Sequence, residues 1–304
     1  MRIGVLVLTH NFGHFLPEAM AGIREQTRPA DAVVVVDNGS SDNTPELLRQ
    51  YQREWPDLRV VRQRNVGQLG GWRAGLIALD DVDVVVLLDG DDWYEPGYLE
   101  RVAAEFRAYP AVEIVHSSYR MHPLEEYGVQ AVADQWIEGD FLRALFQLHW
   151  VGSPTSMVAL RRGTLDFLIG TSRPIHPAEF RQRSDDLIAF GGSVYALRRR
   201  FMSDPLVNYR VHGSNQLAGR PIIPWAEQLP RNLALLRLLE PTRRFFASLT
   251  PGERRILVEQ EVRAIQRGNP DPWTAVDSLL QALPVSVDEL GDLALIVDEL
   301  LKSG

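Results

Sequence analysis

The chain has 304 residues, 45% of them hydrophobic and 24% charged, an ordinary globular balance that excludes disorder throughout. It contains no cysteine, which excludes disulfide frameworks, thiolate metal sites and cysteine nucleophiles. A formal net charge of −8 disfavours a broadly nucleic-acid-binding surface, and leaves 198-RRR-200 as a local basic patch or a solvated helix end.

The first 117 residues repeat one theme: a short β-branched run, a polar loop, then a helix pattern. Strands are predicted at 3-IGVLVL-8, 32-AVVVV-36, 58-LRVV-61, 83-DVVVLL-88 and 112-VEIVH-116. Helices are predicted near 15–26, 45–54, 70–80 and 97–108, with Pro45 and Pro96 at first-turn positions where the missing N–H costs nothing. This alternation, with Val runs suited to strands buried on both faces, predicts an α/β domain with a mostly parallel sheet. From about 118 to 215 the pattern is mixed: helices near 139–148 and 185–199, strands near 155–160 and 205–211. Gly191-Gly192 interrupts the second of these helix patterns. From 221 to 304 nearly everything reads as helix, with amphipathic spacing in 254–266 and 287–301, breaks at 250–251, 270–272 and 284, and a capping-box pair in Ser286 and Glu289. No apolar run reaches the roughly 18 residues of a membrane span, and the start lacks a secretory apolar segment. A cytoplasmic protein is expected, with peripheral attachment at a membrane left open.

In an open parallel sheet, ligands bind beyond the carboxyl ends of the strands. Four polar clusters fall there: Thr9-His10-Asn11, Asp37-Asn38-Gly39-Ser40-Ser41-Asp42, Arg64-Asn65-Val66-Gly67 and Asp89-Gly90-Asp91-Asp92. Three carboxylates within four residues repel one another. A divalent cation with a preference for oxygen ligands, Mg²⁺ or Mn²⁺, neutralises such a cluster and takes further ligands from phosphate. Asp37 ends a buried strand beside a flexible turn, and either receives a nucleobase N–H or serves turn chemistry. The Gly67, Gly70, Gly71 and Gly75 series allows close approach to a ligand or tight helix packing.

Taken together, 6-LVLTHN-11, Gln26, 34-VVVDNGSSDNT-44, 64-RNVGQLGGWRAG-75, 87-LLDGDD-92, 185-DDL-187 and 206-LVNYRVHGSN-215 resemble the inverting glycosyltransferases of family 2, which have the GT-A fold. The likeness covers about 3–215, and its glycine-rich segment also looks like rhamnosyl- and galactofuranosyl-transferring branches. It implies a GT-A domain over 1–220, with a nucleotide-binding half at 1–117 and an acceptor half at 118–220. A helical extension over 221–304 follows, packing on the domain, forming a homodimer contact or holding a partner.

Carried over residue by residue, the resemblance gives Asp37 the nucleobase, Thr9 and Asn11 the nucleoside, and Arg73 the nucleotide edge. Asn65 and Gly67 join the nucleotide-binding set. Asp89 and Asp91 match the DxD motif, with Asp91 the metal ligand, Asp92 its alternative and His212 a further ligand or diphosphate contact; an imidazole suits Mn²⁺ better than Mg²⁺. The general base should lie in an acidic pair opening a helix, Glu-Asp in most members and Asp185-Asp186 here. By position Asp186 is the base and Asp185 the runner-up. Trp93, Trp136, Trp150, Ser153 and Thr155 are acceptor-side candidates. The implied reaction moves a sugar from a nucleotide-diphosphate sugar, a UDP-sugar in most members, to a hydroxyl of a glycan, lipid-linked or small-molecule acceptor. Other readings are a nucleotidylyltransferase, a phosphatase using 89-DGDD-92 and a nucleotide- or glycan-binding relative without activity. The first would need a glycine-rich basic loop where 9-THNFGH-14 stands, and the second leaves the Asp37 segment unexplained.

Overall fold

The computed structural model describes residues 1–79, 81–147, 151–170, 175–181, 183–213, 225–268 and 271–303. Its strands are β1 (Ile3–Thr9), β2 (Ala32–Asp37), β3 (Arg59–Arg62), β4 (Val84–Asp89), β5 (Trp93–Tyr94), β6 (Ile114–His122), β7 (Val129–Gln130), β8 (Gln135–Ile137), β9 (Val158–Arg161) and β10 (Arg199–Arg210). Its helices are α1 (Leu16–Arg24), α2 (Thr44–Glu54), α3 (Gln68–Ala78), α4 (Tyr98–Ala108), α5 (Leu124–Tyr127), α6 (Phe141–Gln147), α7 (Arg162–Ile169), α8 (Asp185–Val194), α9 (Trp225–Ser248), α10 (Pro251–Gly268), α11 (Pro272–Ala282) and α12 (Val287–Ser303).

One mixed sheet runs in the order β3-β2-β1-β4-β9-β6-β10-β5. Its long ladders are parallel: β1 lies between β2 and β4, and β6 pairs with β10. β9 enters antiparallel between β4 and β6 and joins the halves. The Val runs of β1, β2 and β4 are buried on both faces, as parallel strands covered by helices require. Residues alternate between two cores: Leu6, Val34 and Leu87 face one, Val5, Val35 and Val86 the other. Gly71 and Gly75 bring α3 onto the sheet; an added Cβ would stand 2.3 Å from Leu8 and 2.1 Å from Leu6. The parallel register delivers the ends of β1, β2, β3 and β4 to one edge.

Several boundaries differ from the sequence reading, among them the strand predicted at 112–116, which runs from Ile114 to His122. The predicted 185–199 helix ends at Val194, and 199–200 open β10 instead. The glycines are not interruptions: a Cβ on Gly191 would meet Leu168 at 2.6 Å and one on Gly192 would meet Arg199 at 2.6 Å, so close packing holds α8 through them. The arginine run is neither a solvated helix end nor a free basic patch. Arg199, 1% exposed, donates to both Asp140 oxygens at 2.6 Å, and Arg200 donates to Glu105 at 2.5 Å. The strand expected from 155 begins at Val158, after a 3-10 turn at Thr155–Met157.

Helices α9 to α12 pack on the α/β part, and their Leu235, Val262 and Leu279 belong to the same core as Leu6 and Leu87. Glu261 of α10 accepts the Leu142 N–H at 2.9 Å, and Gln147 donates to Ser278 at 2.7 Å. Burial first, then Asp140, pushes Glu261 up to about 7. Ser286 accepts the Glu289 N–H at 3.2 Å, while the Glu289 carboxylate takes a bidentate pair from Arg254, so only one arm of the predicted capping box forms. The expected boundary at 220 lies outside the described residues.

Asp140 also accepts from Ser193 Oγ at 2.6 Å and is the main counter-charge of buried Arg199. Asp140→Ala should cost about 3–5 kcal/mol, the usual penalty for stranding a buried ion, read as a lowered denaturant midpoint at unchanged slope. Asp140→Leu combined with Arg199→Met should recover most of the loss.

Candidate active site

A cleft of about 280 Å³ opens at the strand-end edge. From β1 and the loop after it come Leu8, Thr9, His10 and Phe12; from the β2 turn, Asn38; from the β3–α3 loop and the first residue of α3, Asn65, Gly67 and Gln68; from β4 and the turn after it, Asp89, Asp91 and Asp92. The far wall is Pro154, Thr155, Arg181, Arg183, Asp185 and Tyr209. Nucleotide-side and acid-side candidates therefore share one cavity.

The floor is built from main-chain and amide hydrogen bonds. Asn11, at φ +58, accepts the Ser41 N–H at 2.8 Å and donates its own N–H to Ser40 Oγ at 2.9 Å, tying the first two loops together without lining the cleft. Asn38 donates to the Gly67 carbonyl at 3.1 Å and accepts from Gln63 at 2.9 Å. Gly67 needs its missing side chain: its φ is +85 and a Cβ would stand 2.5 Å from Arg181 Cα. Thr9 lines the cleft, and its Oγ1 is buried beside Gly90 with no hydrogen-bond partner among the described residues.

Several predicted residues are elsewhere. Asp37 is fully buried, accepts the Ser40 N–H at 2.8 Å and faces Arg62 at 3.3 Å; Asn38, its neighbour, lines the cleft. Arg73 donates to the Ile169 carbonyl at 2.7 Å and does not line the cleft, because α3 turns it toward α7. Ser153 hydrogen-bonds His116 Nδ1 at 2.8 Å, and burial, then Arg199, holds that imidazole neutral down to about 3. Trp93 lies under the Arg210 guanidinium at 4.6 Å and beside His122. Trp136 packs against Arg198 and Arg200. Trp150 lies outside the described residues.

The carboxylates have separate duties. Asp92 is 2% exposed and held in place, accepting the Arg210 N–H at 2.9 Å and Ser156 Oγ at 2.6 Å. Ser156 Oγ also accepts the Asp89 N–H at 3.0 Å, so the 3-10 turn buttresses the whole strand end. Asp91 Oδ2 lies 2.9 Å from His212 Nε2, and Phe12 and Phe15 hold that imidazole by ring contacts. Burial and the Asp91 charge push both Asp89 and Asp92 well above the usual carboxylate range, and Asp185 adds to the effect on Asp89.

The acidic pair opening α8 is divided. Asp186 is tied by Arg183 at 3.1 Å and by Arg231 of α9 at 2.8 Å, and does not line the cleft. Asp185 lines it. Burial, then the Asp186 charge, pushes Asp185 up to about 7.

Among the described residues, no three His, Asp or Glu side chains converge as a metal cluster. Asp91 and His212 form a two-donor pair amid mutually repelling carboxylates. This fits a divalent cation that takes the rest of its shell from phosphate and water.

The model of the family described as glycosyl transferase family 2 matches residues 4–164, more than half of the chain and all of the β1–β4 edge. The chain belongs to glycosyl transferase family 2. It is 30% identical over 223 residues to an uncharacterized glycosyltransferase of Nostoc sp., covering 71% of this chain and 66% of that protein. It is 24% identical over 230 residues to EpsH of Bacillus subtilis, named as a glycosyltransferase, covering 70% and 62%. The chain thus spans somewhat under two thirds of the length of these curated relatives. Its fold matches S. aureus TarS 1–349 in complex with UDP-GlcNAc at a TM-score of 0.62 and 17% identity, over 100% of this chain and 90% of that one. It also matches a mannosyltransferase of Pyrobaculum calidifontis in complex with GDP-Man and Mn²⁺ at a TM-score of 0.51 and 20% identity, over 100% and 79%. These two likenesses establish a GT-A-like fold. No helix among the described residues is long and apolar enough to cross a membrane.

Of the cleft-lining residues, His10, Phe12, Asn38, Gln68, Arg181, Arg183 and Tyr209 had no role assigned in the sequence reading. His10, Asn38, Gln68 and Tyr209 lie within the family 2 motifs, but sequence does not tell which of two adjacent residues turns into a cavity.

Proposed function

We propose that this family 2 member is an inverting glycosyltransferase that takes a nucleotide-diphosphate sugar, with Asp185 as its general base. The observation that carries this reading is one cleft in which a family 2 strand-end edge faces Asp185, the member of the acidic pair that lines it and whose burial raises its pKa to about 7. A base with such a pKa is largely ionised at working pH yet still binds a proton well. Asp185 accepts the proton of the acceptor hydroxyl as that oxygen attacks the anomeric carbon. The bond to the nucleoside diphosphate breaks on the opposite face, and the leaving group keeps the electron pair. Thr9, Asn38, Asn65 and Gly67 form the nucleotide wall. Asp91 and His212 would hold a divalent cation, which supplies charge stabilisation for the departing diphosphate. The Mn²⁺ complexes of fold neighbours support the same choice. UDP-GlcNAc and GDP-Man both occur in complexes of fold neighbours, and uracil and guanine are both compared in the titration below. The proposed extent of the catalytic domain is 1–220, with the C-terminal helices as its packed extension.

Calorimetric titration of UDP, GDP and dTDP, each with Mn²⁺, Mg²⁺ or chelator, tests this reading. One nucleotide should bind only with a divalent ion present, and the corresponding sugar donor should be slowly hydrolysed. Absence of binding to every nucleotide under every metal condition would overturn it. Binding without hydrolysis or transfer would instead support a relative that has lost activity.

A further inference from the structure

We propose that Gln68 is a positioning residue that sets the separation between the donor-holding strand end and the helix carrying the base. This rests on the reading of Asp185 as that base.

Gln68 is the first residue of α3, and its amide meets two distant segments. Its Oε1 accepts the Ser184 N–H at 2.7 Å, one residue before Asp185. Its Nε2 donates to Thr155 Oγ1 at 3.0 Å. The same 3-10 turn holds the β4 end, since Ser156 Oγ accepts the Asp89 N–H at 3.0 Å. The Gln68 amide thus bridges the turn and the helix start with its carbonyl acceptor and one of its two N–H donors. The main chain adds to the clamp, since the Gln68 N–H donates to the Arg181 carbonyl at 2.9 Å.

At the start of α8, Asp185 Oδ1 accepts the Asp186 N–H at 3.2 Å. Ser184 makes no side-chain cap, and its hydroxyl turns back to the Phe180 carbonyl at 3.1 Å. The Ser184 N–H is therefore satisfied by Gln68, and with it the depth at which α8 enters the cleft. One residue thus ties the β4 end, the 3-10 turn and the base helix into a single frame. Asparagine is one methylene too short to span these partners, and glutamate lacks the N–H donors and places a charge beside Asp89.

Misplacing reacting groups by about 1 Å can cost about 10²-fold in rate. Gln68→Ala should therefore lower kcat by about 10–100-fold, while the nucleotide dissociation constant changes by less than about threefold. Gln68→Glu keeps the bond to Ser184, loses the N–H donated to Thr155, places a charge beside Asp89, and should be impaired even if the alanine variant folds poorly. Combining Gln68→Ala with Thr155→Val should cost less than the product of the single losses, since both remove the same bond. A kcat within about twofold of wild type in well-folded Gln68→Ala, or a loss confined to nucleotide affinity, would overturn the proposal. Asp185→Asn is measured alongside. If it retains transfer, the base reading fails; if it is inactive while Gln68→Ala is normal, only the positioning role fails.

Discussion

Asp185→Asn is expected to lower kcat by about 10²–10⁴-fold, the range for loss of a positioned general base, with nucleotide binding retained. Asp186→Asn is expected to keep most transfer activity. Its pH profile should move, and the direction follows from the charges. The wild-type rate should rise with pH through about 7 as Asp185 loses its proton. The Asp186 charge raises that value and Arg183 lowers it. Removing the Asp186 charge removes a repulsion and leaves Arg183 and Arg231 without that carboxylate. Ionised Asp185 then becomes easier to form, and the acid limb shifts below about 7. Initial rates of sugar transfer from pH 5 to 9 on both variants decide the matter. An inactive Asp186→Asn beside an active Asp185→Asn would return the role to Asp186.

The second large effect belongs to Asp91. Asp91→Asn should abolish the metal dependence of nucleotide binding, a loss greater than the ~10–100-fold typical when even an outer-sphere partner is removed. The substitution leaves an amide 2.9 Å from His212 and removes the carboxylate from the donor pair. Asp92→Asn should act differently. Asp92 is occupied by the Arg210 N–H and Ser156 Oγ, so its replacement should lower thermal stability more than metal affinity. Calorimetry with and without Mn²⁺, beside thermal melts of each variant, separates the two. Equal losses of metal-dependent binding in both would show that the carboxylates act as one ligand set.

Much of this architecture was legible in advance because it follows from local patterning. Continuous Val runs bounded by polar loops specify buried parallel strands, and a parallel sheet sends every strand's carboxyl end to one edge. The polar clusters after β1 to β4 therefore had to be neighbours. The boundaries that failed were those set by contacts distant in sequence. Gly191-Gly192 reads as a helix break locally, yet the positions of Leu168 and Arg199 require glycine there. The run 198–200 reads as surface charge, yet Asp140 and Glu105 bury two of its members.

The same division holds within the site. Sequence alone determined the fold class, the edge where ligands gather and the residue types collected there, because strand spacing and loop composition carry that information. Which member of an adjacent pair faces the cavity was decided only by the tertiary structure: Asn38 over Asp37, and Asp185 over Asp186. Successive residues at a strand end point to opposite faces, and successive residues on a helix lie about 100° apart. A partner from a remote element, Arg62 for Asp37 and Arg231 for Asp186, then holds one of the two away from the cavity. No motif within either segment records those partners.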